Sequence, residues 1–367
     1  MKNGSRLAAL GGVVVAGALA LSACGSDANQ GATTSAVPTG DIDCATGTVN
    51  AAGSSAQKNA IEEWTKIYAQ KCAGANLNYN PSGSGAGIEA FTQGQVAFAG
   101  SDSALKPDEA EAAKKRCQGA NAVNLPMVVG PVAVIYNLQG VDGLQLSPDT
   151  LAGIFSGKIK NWNDPAIAKD NPGATLPGDA IKPIYRSDES GTTENFTKYL
   201  KAAAPGAWTY EPAKKWAAPA GQGAAKSDGV TAQVKNGAGT ISYVEMSYAE
   251  NNKLQTAKIK NGNGEYTALT AESASKAVAG AKVVGTGNDV ALEIDYTTKE
   301  PGAYPIVLVT YEIACEKGLP AEQAKFVKSF LTYTAGADGQ KVLTDIGYAP
   351  VPAEVLSKVQ NSIKALS

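Results

Sequence analysis

The chain has 367 residues, room for about two domains, with 44% hydrophobic and 18% charged residues and a formal net charge of −2. This balance excludes a disordered chain, and there is no basic surplus of the kind a nucleic-acid binder carries. Histidine is absent, which excludes a Ser-His-Asp triad and, with no C-x-x-C pair, leaves zinc without its usual ligands.

Lys2 and Arg6 precede an uncharged apolar run over 7–21, which ends in Leu21-Ser22-Ala23-Cys24. A positive start, an apolar stretch and a small-residue cleavage site read as a signal peptide over 1–23; the run is short for a spanning helix, which needs about 20 residues. Cys24 after Leu-Ser-Ala resembles the lipobox of bacterial lipoproteins, which implies a lipid on the new N-terminal cysteine. Residues 24–47 read as a lipidated flexible tether: 25–43 are almost all small or polar, and coil of that length spans about 20–25 Å. Loss of Lys2 and Arg6 would leave the remaining chain more acidic still, so any anion site must be built locally from dipoles and one or two cations.

Four further cysteines, Cys44, Cys72, Cys117 and Cys315, are read in an exported chain as two disulfides, with three pairings possible. Cys72 and Cys117 each follow a predicted helix and precede a predicted strand, which puts both at the same end of a parallel sheet. The favoured pairing is therefore Cys72–Cys117 with Cys44–Cys315.

Beyond the tether, short apolar runs alternate with amphipathic stretches. A strand at 48–51 precedes a helix at 57–70, with Ile61, Trp64, Ile67 and Tyr68 on one face. Strands at 76–80, 96–99 and 125–129 are separated by helices at 88–93 and 107–115. The pattern resumes with a strand at 181–186, a helix near 193–203 and a strand at 240–246. An apolar run at 304–313 leads into helices at 321–333, 337–346 and 352–366. Such alternation predicts an α/β fold with a mostly parallel sheet covered on both faces. In open sheets of this kind ligands bind beyond the carboxyl ends of the strands.

Four loops at those positions share glycine and hydroxyl residues directly before a helix: Ala52-Gly53-Ser54-Ser55-Ala56, Ser82 to Gly87, Gly100-Ser101-Asp102-Ser103, and Arg186 to Thr193. A helix N-terminus offers free N–H groups and about half a positive charge, which suits an anion. One such loop alone reads as a cap and a turn. Four at strand-to-helix junctions point to a shared anion site.

On these residues the chain resembles the substrate-binding protein of the bacterial phosphate-specific (Pst) ABC transporter, in its actinobacterial lipoprotein branch. The similar motifs are Gly53-Ser54-Ser55, Gly83-Ser84-Gly85-Ala86-Gly87, Phe98-Ala99-Gly100-Ser101-Asp102, Arg186 through Thr192, Gly157 through Pro165, and Ile241-Ser242-Tyr243-Val244-Glu245. The resemblance implies a two-domain periplasmic-binding-protein-like fold (type II) with ligand in the interdomain cleft. Domain I would be 48–127 plus 305–367 and domain II 128–304. It also implies a phosphate shell of Ser55, Ala56, Ser84, Asp102, Arg186, Ser190, Gly191 and Thr192, with Asp188 pairing Arg186, and a monomer that delivers phosphate to a membrane permease and its ATPase without a cofactor. Many relatives carry Thr-Phe where this chain has Ser55-Ala56; serine keeps the hydroxyl, and a contact at Ala56 is confined to its backbone.

Asp102 gives this set its chemical meaning. A carboxylate repels an anion unless the ligand brings a proton to donate, as phosphate does and sulfate does not. A like-charge contact near 4 Å costs about 4 kcal/mol at an effective dielectric of 20, roughly a thousandfold in affinity. The alternatives are a binding protein for another oxyanion, a Ser–Lys hydrolase, or a surface antigen with a vestigial site. The hydrolase would release product from a chromogenic phosphate ester, and a vestigial site would bind no phosphate.

Overall fold

The structure, a computed structural model, describes residues 42–367. The expected signal peptide, Cys24 and most of the tether lie outside the described residues. No helix among the described residues is long and apolar enough to cross a membrane.

In chain order, β1 (Gly47–Gly53), α1 (Lys58–Lys71), β2 (Ala75–Asn80), α2 (Ser84–Thr92), β3 (Phe98–Ser101) and α3 (Pro107–Arg116) lead into the long β4 (Ala122–Asn137). Next come β5 (Gln145–Leu146), α4 (Pro148–Phe155), α5 (Pro165–Asp170), β6 (Lys182–Arg186), α6 (Gly191–Ala203), β7 (Gln222–Ala224), α7 (Lys226–Asn236), β8 (Thr240–Glu245) and α8 (Met246–Asn252). Short pieces follow: β9 (Gln255–Thr256), β10 (Lys258–Lys260), β11 (Tyr266–Thr267), α9 (Ala271–Val278), β12 (Lys282–Val283) and β13 (Leu292–Glu293). The chain closes with β14 (Val307–Cys315), α10 (Ala321–Thr334), α11 (Ala337–Asp345) and α12 (Ala353–Ala365).

One sheet runs β2-β1-β3-β14-β4-β8-β6-β7, with β9 also on β4. It is mixed, where the alternation predicted mostly parallel strands. The β1–β2, β1–β3, β6–β7 and β6–β8 pairs are parallel, but β14 and β4 run antiparallel to each other and to their outer neighbours β3 and β8. The reason is that β4 is a single 16-residue strand. Its first part pairs with β14 and its last six residues with β8, so it crosses from one half of the molecule to the other.

Two large apolar clusters flank this crossover. One packs α1 and α10 against the β1 side, through Trp64, Tyr68, Phe98 and Phe330. Its helix face arises from Ile61, Trp64 and Tyr68, spaced three and four apart and all buried. The other gathers Phe155, Trp162, Phe196, Trp208 and Tyr243 around α4, α6 and β8. Two cores joined by crossing strands give the two-domain binding-protein architecture.

The disulfides are Cys44–Cys72 and Cys117–Cys315, with Cα atoms 5.3 and 5.4 Å apart, which corrects the expected pairing. Cys72 and Cys117 do precede strands of one sheet, but those strands are β2 and β4. With β1, β3 and β14 between them, at about 4.8 Å per strand, the two cysteines stand far beyond the roughly 7 Å limit of a disulfide. Cys315 ends β14 opposite Ala122, the first residue of β4, within reach of Cys117.

Candidate anion site between two sets of loops

Each proposed shell residue sits where a strand hands over to a helix. Gly53 ends β1 at φ +148°, and a Cβ there would fall 1.9 Å from the Gly100 carbonyl oxygen. Glycine is therefore what allows the β1 and β3 ends to converge. Ser84 opens α2. Ser190 caps α6, its Oγ accepting from Thr193 N at 3.2 Å.

The loops from the N-terminal region and those around α6 and α7 meet directly. Ser84 Oγ accepts from Asp102 N and from Gly191 N, each at 3.2 Å. Thr192 Oγ1 donates to Asp102 Oδ2 at 3.2 Å. Asn195 Nδ2 reaches the Asp102 carbonyl at 2.7 Å. Ser55 Oγ lies 3.0 Å from Ser227 Oγ and accepts from Ser227 N at 3.1 Å. The Ala56 N–H donates to Ser54 Oγ at 3.0 Å, and Ala56 is fully buried. All eight predicted shell residues are brought into this one buried region.

Asp102 is 2% exposed. Its Oδ1 accepts from Ser54 Oγ and, at 2.9 Å, from Thr310 Oγ1. Burial pushes its carboxyl above the ordinary range, a shift only partly offset by the Ser54 and Thr310 hydroxyls, the Arg186 charge and Thr192. Arg186, equally buried, donates through Nε and a terminal nitrogen to the two oxygens of Asp188. A further nitrogen points to Ser227 Oγ at 3.5 Å. Burial would raise the Asp188 carboxyl, but the hydrogen bonds and charge of Arg186 and the Lys226 amide outweigh it and hold the group below its usual value.

The structure adds three residues that the sequence reading left out of the shell. Ser54 belongs to the Gly53-Ser54-Ser55 motif but lies outside the expected shell. Thr310 sits mid-strand in an apolar run, with no loop signal to find it. Ser227 begins α7 within Lys226-Ser227-Asp228-Gly229, and this hydroxyl-and-glycine composition, matching the other loops, was the signal available.

A cavity of about 550 Å³ opens beside Asp102, with Lys106, Lys198 and Lys201 among its lining. Among the described residues no cluster of His, Cys, Asp or Glu is placed to hold a metal ion.

Residues 30–338 match the PBP superfamily domain. The phosphate-binding protein PstS 3 of Mycobacterium tuberculosis is 46% identical, with 99% of both chains covered. PstS 2 of the same organism is 39% identical over 97% of both chains. The chain belongs to the PstS family of phosphate-binding proteins. Among solved structures, the fold of this PstS family member is similar to that of the periplasmic phosphate-binding protein PfluDING, at TM-score 0.70 and 23% identity, covering 86% of this chain and 93% of that one. It is also similar to a phosphate ABC transporter substrate-binding protein from Clostridium perfringens, at TM-score 0.61 and 18% identity, covering 83% and 100%.

Proposed function

We propose that this PstS family member captures inorganic phosphate outside the cytoplasmic membrane, anchored by a lipid on Cys24, and passes it to an ABC permease driven by its ATPase. The observation that carries the reading is Asp102. Its carboxyl, which accepts from hydroxyls and is not paired with a cation among the described residues, shares one buried region with Arg186, four helix-end loops and a set of hydroxyls, which suits a tetrahedral anion that still carries hydrogen. Ser55, Ser84, Ser190 and Thr192 would supply hydroxyls, the Ala56 and Gly191 backbones amides, and Arg186 the positive charge. Calorimetry on the body beyond Cys24 tests this: micromolar or tighter phosphate binding, with sulfate rejected, is expected. Equal binding of both anions, or of neither, removes it. A chromogenic phosphate ester should release no product.

Domain I would comprise 48–127 plus 305–367 and domain II 128–304, with closure a hinge motion about β4 and β14. Closure brings Gly191 against the opposite wall, where a Cβ would lie 2.6 Å from both Asp102 Cβ and Ser84 Oγ. Gly191→Ala is therefore expected to weaken phosphate binding about ten- to a hundredfold, the range that overpacking implies. Its melting temperature without ligand should stay near the parent's, because the clash arises only on closing. A calorimetric titration beside a thermal melt checks both.

A further inference from the structure

Glu312 lies on β14 and is fully buried, and neither of its oxygens has a hydrogen-bond partner. Along this strand Val309, Tyr311 and Ile313 join one apolar cluster. Glu312 therefore shares the opposite face with Thr310, whose hydroxyl holds Asp102. Its cross-strand neighbour is Gly100, where a Cβ would fall 1.9 Å from Gln57 Nε2 and 2.5 Å from the Tyr79 hydroxyl. The bare glycine lets the Gln57 amide lie on the sheet beside Glu312. Gln57 Nε2 donates to the Tyr79 hydroxyl at 2.9 Å, and that hydroxyl donates to the Ser54 carbonyl at 2.9 Å. Gln57 Oε1 is the third unpartnered atom here.

With Gln57 Nε2 donating to Tyr79, these orphans answer one another when Glu312 carries a proton. A buried carboxylate with no hydrogen-bond partner would be strongly disfavoured in a dry interior. A neutral carboxyl can donate to Gln57 Oε1, which would complete a chain through Tyr79 to the loop that bears Ser54 and Ser55. We propose that Glu312 is a positioning residue that must hold a proton for tight anion binding, bracing this loop while keeping a second negative charge away from Asp102. The proposal rests on the phosphate reading above.

Burial, with the neighbouring Asp102 charge, pushes the Glu312 carboxyl up to about 8 against some relief from Gln57. The other titratable groups around it are Tyr79, itself raised by burial and by Glu312, and Tyr248 beyond that; Arg186 acts on Asp102. The sign follows from the raised value. Glu312 is neutral below about pH 8 and charges above it, and an arriving phosphate dianion makes charging harder still. Phosphate capture in mild alkali must then take up a proton from solvent.

Titration calorimetry of the full chain with inorganic phosphate at pH 8.5, in two buffers of different ionisation enthalpy, counts that proton. At this pH free phosphate is almost wholly the dianion, so it contributes little to the count. The parent protein is expected to take up a clear fraction of a proton, and its Kd to weaken about tenfold between pH 7 and 9.5 for one pKa unit of coupling. In Glu312→Gln the uptake should shrink and the Kd should hold its own pH 7 value through pH 9.5, because the new amide donates to Gln57 at every pH. Phosphate binding with no proton uptake by the parent overturns the proposal and needs no variant to fold. An uptake and profile that Glu312→Gln leaves intact overturns it equally. Failure of the parent to bind phosphate at pH 7 would sink the functional reading, and this proposal with it.

Discussion

Asp102→Asn is expected to admit sulfate, raising sulfate affinity about a thousandfold while phosphate affinity moves far less. The substitution keeps shape and can keep the local bonds. The asparagine oxygen still accepts from Ser54 and Thr310, and its amide nitrogen faces Thr192 Oγ1, which can accept in turn. What disappears is the charge, and with it the roughly 4 kcal/mol of repulsion against an anion with no proton to give. Phosphate loses the same repulsion but also loses its charge-assisted acceptor, worth about 1.5–3 kcal/mol, so the two changes largely cancel. The parent protein offers a second route to the same result. Burial holds the Asp102 carboxyl above the ordinary value, so acidification neutralises it sooner than a free carboxylate. Sulfate binding should therefore rise as the pH falls in the parent and stay level in Asp102→Asn. Sulfate titrations at neutral and acid pH read both, and an unchanged rejection of sulfate by Asp102→Asn would show that the carboxylate is not the filter.

Where the sequence was legible, a local rule was enough. The face of α1 follows from the spacing of Ile61, Trp64 and Tyr68. The four site loops follow from hydroxyls and glycine placed before helices, whereas the pairing of Arg186 with Asp188 comes from the family resemblance. What stayed hidden depends on which strands are neighbours. The sheet is mixed because β4 spans both halves and β14 returns late in the chain to lie against it, and apolar runs carry no mark of strand direction. The disulfide pairing went wrong for the same reason: the end of the sheet was right and the order of strands was not. Thr310 and Glu312 were unreadable as site neighbours because β14 is more than 200 residues from Asp102. Ser227 is the exception, since its Lys226-Ser227-Asp228-Gly229 segment has the same hydroxyl-and-glycine composition as the other loops.

Arg186→Met should all but abolish phosphate binding, with a loss of two to four decades in Kd. Arg186 is the cation in the proposed shell, and a guanidinium at a dry anion site contributes charge-assisted bonds of about 1.5–3 kcal/mol each. Removing two of them accounts for the range. The same change strands Asp188, which is held ionised mainly by this guanidinium, so part of any effect could come from a damaged fold. The pH dependence separates the two causes. The lowered value of Asp188 means that in the parent its pairing stabilises the fold at neutral pH, and that this contribution fades as the pH falls through the native-state value. Arg186→Met should therefore melt lower than the parent at pH 7 and converge on it in acid. Adding Asp188→Asn removes the stranded carboxylate and should restore much of the melting temperature, yet leave phosphate binding as weak as before. Recovery of phosphate affinity in the double variant would mean that Arg186 serves the fold and not the anion.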